Sequence, residues 1–384
     1  MTTEHASTMK RTGWAVTAFY LVLAFEFFYM ASPFAAYFYS VYSPGLAFLG
    51  KFESFRFLVS FFLPHIVSET SSLMLDIRNL VGVLLFFGGG AAFLWAMCQV
   101  YWAKIRRKGA VLGGMYRFIR HPQYTALAIC GLGMLILWPR YVILVSYVTM
   151  LFVYLVLARI EERECRVKFG QSYADYASRT HMFLPFPLPL ADKLPSLPTR
   201  PLARAAILGL LFVLMLTGSL LAASGLRTYS LNSLYADYRE DTAVVSLIKI
   251  SQADMDRAMD LAMAAPETTA LLAEANADAE TRYIFYLLPT DFDVSEIPMN
   301  PVENGREGHH FLPQNFGDIG QWKLVLTKAV LPQGQSYSDR DIVARAFAVE
   351  PLGEVWVDLS ENQIIQVVQP PATGNYEGIP MPVF

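Results

Sequence analysis

Two short clusters in this chain combine residue types that hold charged ligands. The first is Arg120-His121-Pro122 with Tyr124, and the second is Glu161-Glu162. Each sits where a very apolar segment meets a charged one. The apolar stretch between them has the length of a membrane hairpin, so folding it back returns both clusters to one membrane face. Ionisable groups at such a border are costly to keep and are, by default, a candidate functional site. Two arrangements satisfy these residue types. A guanidinium, an imidazole and two carboxylates can grip a charged ligand between them. Alternatively, Arg120 can pair with Glu161 or Glu162 and merely dock two helices.

The flanking residues are ordered as well. Gly114 and Tyr116 precede the first cluster, and Phe169, Gly170, Tyr173 and Tyr176 follow the second. A Gly-x-Tyr run leading into Arg-His-Pro-x-Tyr, an apolar hairpin, then Glu-Glu and Phe-Gly-x-x-Tyr-x-x-Tyr resembles the integral-membrane methyltransferases. That family includes isoprenylcysteine carboxyl methyltransferase and the phospholipid N-methyltransferases. The resemblance covers about a sixth of the chain, with one departure: Ala126 stands where the family usually has glycine.

The resemblance implies S-adenosylmethionine as cofactor, held in a pocket that opens to the cytoplasm. On that expectation His121 and Tyr124 meet the cofactor's polar end, and Glu162, with Glu161 as alternate, accepts from its amino group or ribose hydroxyls. Arg120 orients an acceptor carboxylate or phosphate, so Arg120 and Glu162 carry the catalytic assignment. Pro122 sets the chain direction at a helix start. Tyr173 and Tyr176 wall the pocket or form an interfacial aromatic belt. Family members methylate carboxylates, amines and other groups. An amine must lose a proton and a carboxylate need not, and the absence of an unambiguous general base favours a carboxylate on a lipid or lipid-linked acceptor.

The elements that must position these residues are membrane-like. Of 384 residues, 54% are hydrophobic and 16% charged, too apolar for an ordinary soluble enzyme of this size. Residues 1–226 hold 20 Lys and Arg against 10 Asp and Glu, whereas residues 227–384 hold 10 against 23. The split separates a membrane part with basic loops from an acidic, water-facing tail. Spans are expected at residues 14–40, interrupted by Glu26 and Pro33, and at 79–103, 123–138, 141–159 and 202–226. Lys51, Glu53 and Arg56 make residues 46–66 an interfacial or re-entrant helix. Gly88-Gly89-Gly90 permits close helix approach and does not read as a phosphate loop.

Lys104, Arg106, Arg107 and Lys108 form a cytoplasmic basic loop suited to anionic lipid rather than nucleic acid. With Lys10, Arg11, Arg163 to Lys168, Arg200 and Arg204 also inside, about five crossings put the N-terminus in the cytoplasm. The tail then lies in the periplasm or its equivalent, as expected for a bacterial inner-membrane protein.

The fold class expected is therefore an all-α polytopic membrane domain with a C-terminal α+β water-soluble domain. Its parts are a membrane domain, 1–182, a proline-rich linker, 183–201, a further span, 202–226, and the tail, 227–384. In the tail, Ser251 opens a helix that ends before Pro266, and Glu267 to Glu280 forms a second. Strands are expected at 282–288, 322–330, 342–349, 355–359 and 364–368, the last two joined as a hairpin. Cys98, Cys130 and Cys165 show no metal or disulfide spacing, and the adjacent His309 and His310 point apart, so no metal site is expected. A different class of function also fits: a non-catalytic membrane subunit whose tail docks a protein partner.

Overall fold

The computed structural model describes residues 21–38 except 22, 23, 26 and 29, and residues 43–106, 111–186, 200–275, 281–300, 310–311, 320–332 and 337–370. Glu26, Lys10, Arg11, Arg107, Lys108, His309 and most of the proline-rich linker lie outside them. The chain forms two compact units. One draws on Met1–Val41, Leu80–Ile136 and Val145–Thr217, and the other on Tyr42–Asn79, Leu137–Leu144 and Gly218–Phe384.

The helices that lie wholly or mostly in the first unit are α1 (Arg78–Ile105), α2 (Pro122–Leu137), α3 (Tyr141–Phe169), α4 (Gln171–Arg179) and α5 (Pro201–Leu231), the last passing into the second unit at Gly218. Among the described residues three helices are long and apolar enough to cross a membrane: α1 with the short turn before it, α3 and α5. The apolar α2 is shorter. These helices make the chain a membrane protein. The expected span at 14–40 lies partly outside the described residues, where 30–38 are helical.

Helices α1 and α2 pack backbone to backbone. A Cβ on Gly89 would fall 2.4 Å from the Cys130 nitrogen and 2.8 Å from the Ala126 carbonyl oxygen, and one on Gly133 would fall 2.4 Å from the Phe86 nitrogen. Glycine on each side is thus what lets the axes approach. The Tyr37 hydroxyl donates to the Gly131 carbonyl at 2.7 Å, tying residues 30–38 to α2. Gly170, at φ 56°, ends α3 in a conformation that residues with a Cβ rarely adopt, and so turns the chain into α4.

The second unit is α+β. Its six-stranded sheet runs β1 (Tyr235–Tyr238), β2 (Thr242–Ser246), β3 (Tyr283–Pro289), β6 (Gln321–Val330), β7 (Ala348–Asp358) and β8 (Gln363–Val368), in that order. A small pair, β4 (Asp293–Val294) and β5 (His310–Phe311), stands beside it. The β2–β3 pairing is parallel, through a crossover of α6 (Gln252–Ala264) and α7 (Pro266–Ala275), and the others are antiparallel. Ser251 caps α6 by accepting the Asp254 N–H at 3.1 Å, as its spacing implied.

Residues 342–349 are not one strand. Helix α8 (Asp339–Arg345) occupies the first part, and β7 begins at Ala348. Ile342, Val343 and Ala346 are buried at helical spacing, and the Ser338 hydroxyl bonds the Asp341 carboxylate at 2.8 Å near the helix start.

Residues 46–66 are not one interfacial helix either. Helix stops at Gly50, short turns follow at Glu53–Phe55 and Arg56–Val59, and the chain then runs irregularly to Ser72. Its backbone polar groups are met by the neighbouring chain rather than by a helix of its own. The Phe62 N–H donates to the Pro139 carbonyl at 2.9 Å, and Tyr141 N–H to Ser60 at 3.1 Å. Further along, the Ser68 N–H donates to Leu247 and Ser71 N–H to Ser233, both at 2.8 Å. Arg140, buried, lies 4.0 Å above the Phe61 ring, which stacks on His65, and His65 Nε2 is 3.3 Å from Glu296.

Candidate functional site

Pro122 begins α2 at the position where a missing N–H costs nothing. The two residues before it are paired to the segment after α4: Arg120 N–H donates to the His181 carbonyl at 2.8 Å and His121 N–H to Met182 at 3.1 Å. The Thr125 hydroxyl donates to Phe183 at 2.9 Å. Helix α2 and the strap 181–183 thereby fix one cluster. Glu161 and Glu162, near the charged end of α3, supply the other.

The two clusters converge. Arg120 Nε donates to Glu162 Oε1 at 2.6 Å, and its Nη1 donates to the carbonyls of Ala177, at 3.0 Å, and Thr180. His121 lies between the glutamates, with Nδ1 3.4 Å from Glu161 and Nε2 3.7 Å from Glu162. Those are ion-pair distances, and neither ring nitrogen makes a hydrogen bond although both are shielded from water. Arg166 adds a contact to Glu162 at 3.6 Å from an exposed side chain. The Tyr124 hydroxyl donates to Glu161.

Aromatic rings frame the cluster. Tyr124 is fully buried and stacks against His121 at 5.6 Å and Tyr154 at 4.7 Å. Tyr173 and Tyr176 lie 5.9 Å apart on α4, and the Tyr176 hydroxyl donates to the Tyr116 carbonyl at 2.7 Å. Burial pushes both phenols up, with the Glu162 charge adding to the effect at Tyr173 and the Arg120 charge opposing it at Tyr176. Tyr173 is buried and Tyr176 half-buried, and neither lines the apolar cavity beside Tyr124.

An apolar cavity of about 390 Å³ opens beside Tyr124. Its walls are one face of α2 from Tyr124 to Leu132, one face of α3 from Tyr147 to Leu155, and Phe183 and Leu184. Ala126 does not line it. This residue is buried, and its backbone carbonyl lies at the contact with Gly89 of α1.

Every expected site residue is thus within one neighbourhood, and sequence reasoning missed three that complete it. Thr180 and Ala177 supply carbonyls, which no side-chain pattern announces. Gln123 accepts from the Tyr116 hydroxyl at 3.0 Å, tying the Gly-x-Tyr run to the first turn of α2. Its position inside Arg-His-Pro-x-Tyr, as the x, was the available signal. Among the described residues, no group of three or more His, Cys, Asp or Glu is placed to hold a metal ion.

No curated protein and no solved structure matches this chain. The family model described as phospholipid methyltransferase matches residues 77–172, about a quarter of the chain, with both clusters and the hairpin inside the match. The chain thus carries a segment of the phospholipid methyltransferase type, in agreement with the resemblance its motifs show to the integral-membrane methyltransferases.

Proposed function

We propose that this chain is a membrane methyltransferase that uses S-adenosylmethionine and acts on a lipid or lipid-linked acceptor. The observation that carries this reading is the meeting of Arg120, His121 and Tyr124 with Glu161 and Glu162, beside an apolar cavity that Tyr124 lines. The residues fit the cofactor. His121 is held between Glu161 and Glu162 at ion-pair distance, with both nitrogens shielded from water and neither in a well-formed hydrogen bond, so a ligand group can compete for either carboxylate. The cofactor supplies a methyl group on a sulfonium, for direct displacement by the acceptor. What the protein adds is contact, orientation and the exclusion of water.

In this arrangement Glu161 and Glu162 attract the cofactor's cationic groups, and Arg120 its carboxylate or the acceptor's anionic group. The lipid chain lies along Ile129, Leu132 and Leu151, where it meets apolar surface. Glu161, whose side chain is one-third exposed, bonds Tyr124 at the cavity edge. The sequence names Glu161 as an alternate cofactor contact, and its partly exposed carboxylate also gives the site a proton acceptor, so an amine headgroup suits it as well as a carboxylate. On the distribution of basic residues, the clusters at 120–121 and 161–162 lie on the cytoplasmic side and residues 227–384 outside. Protease added outside sealed spheroplasts then cleaves within 227–384, and full protection there reverses the orientation.

One observation favours a non-catalytic subunit: Arg120 is already satisfied by Glu162 and two carbonyls, as a helix-docking ion pair would be. Binding of labelled S-adenosylmethionine to purified protein separates the two. A catalytic site binds it, and His121→Ala and Glu162→Gln each weaken binding about tenfold or more. No binding near millimolar cofactor by folded protein rejects the proposal, and unchanged affinity in both variants rejects the site.

A further inference from the structure

Among the described residues of the first unit, buried side-chain nitrogens or oxygens without a hydrogen-bond partner occur at His121 and at Gln99. Gln99 lies near the C-terminal end of α1, outside both motifs. Its amide is half used. Oε1 accepts the Met115 N–H at 3.2 Å, whereas Nε2 is shielded from water and donates to nothing. Exchanging the two would set donor against donor at Met115, so the bond fixes which atom faces the turn.

Gly114 is what brings this amide so close. It adopts φ 61°, and a Cβ there would fall 2.1 Å from Gln99 Oε1. The same turn leads into Tyr116, whose hydroxyl donates to Gln123 and whose carbonyl accepts from Tyr176. The bond to Tyr176 ties the turn to α4, and carbonyls at the end of that helix, Ala177 and Thr180, hold Arg120. Gln99 is therefore joined to the proposed cofactor site through one short turn.

A neutral amide suits a neutral acceptor. Arg120, Glu161 and Glu162 offer charged partners, while the adenine of the cofactor presents uncharged ring nitrogens, for which a glutamine amide is a natural donor. We propose that Gln99 Nε2 donates to an adenine ring nitrogen of the bound cofactor, which makes Gln99 a binding residue that reads the base. The proposal rests on the reading of this site as a cofactor site.

The test uses the full-length protein in nanodiscs and measures affinity for S-adenosylhomocysteine by calorimetry. Alongside it are three analogues, each with one adenine ring nitrogen, N1, N3 or N7, replaced by C–H. The expected result is that one analogue binds wild type about tenfold more weakly than the parent. Gln99→Glu keeps an oxygen for the Met115 N–H but no amide donor. With its carboxylate ionised at about pH 8, it should lose about tenfold for the parent and no longer distinguish that analogue.

Wild-type affinity indifferent to all three replacements overturns the proposal, as does parent binding by Gln99→Glu equal to wild type. Should Gln99→Glu fail to fold, the analogue series on wild type decides alone. Wild type that binds no S-adenosylhomocysteine at all fails the cofactor reading itself, and this assignment with it.

Discussion

His121 has the most constrained position of the residues at the border. Burial by itself would push its imidazole down, but Glu161 and Glu162 on either side outweigh that and raise its pKa. A group whose folded pKa is raised contributes stability that is complete below the unfolded value, about 6.5 for histidine, and is lost as pH rises through the folded value. The unfolding midpoint of the protein in detergent should therefore fall as pH is raised above the ordinary histidine range. His121→Gln should flatten that part of the profile. An identical slope in both proteins would mean that the imidazole does not titrate against these carboxylates. The residue types here were legible in advance, because Arg, His and Glu at a membrane border have few cheap roles. The pairing of Arg120 with Glu162, and not with Glu161, was not legible, since adjacent helical residues differ by about 100° around the axis and only packing chooses between them.

Among elements, α1 and α2 give the sharpest contrast. The three glycines Gly88, Gly89 and Gly90 look alike in sequence, yet a Cβ on Gly89 meets the α2 backbone while one on Gly88 or Gly90 meets nothing within 4 Å. Gly89→Ala should destabilise by roughly 1–3 kcal/mol through overpacking against backbone that cannot yield. Gly88→Ala should gain up to about 1 kcal/mol from helix propensity alone. Unfolding midpoints of the two variants, moving in opposite directions, would confirm which glycine makes the contact. The close approach was readable from the run of glycines, but the face was not. Strand and helix readings failed for a related reason at Ile342-Val343, where two apolar β-branched residues suit a strand until the burial of Ala346 reveals a helical period. The hairpin of β7 and β8 was legible, because two apolar runs flank a Ser-Glu-Asn-Gln turn, whereas the first half of β7 was not read as part of the same strand.

At the scale of the whole molecule, composition foretold a membrane part and an acidic α+β part, and both are present. It could not foretell which early residues join the later unit. Charges at Lys51, Glu53 and Arg56 argued only that residues 46–66 do not cross. The backbone bonds from Phe62 to Pro139 and from Ser68 to Leu247 join segments far apart in sequence, and no local pattern encodes such a partner. Ile66 and Val67 belong to the same buried cluster as the sheet residues Val244, Phe285 and Leu324. Cutting the chain at the end of α5 would therefore pull a plug from the later unit's interior and strip the α2–α3 bend of its backing. Anyone wishing to crystallise the acidic part, or to ask what docks on it, should graft residues 56–76 onto 227–370 rather than begin at the last helix.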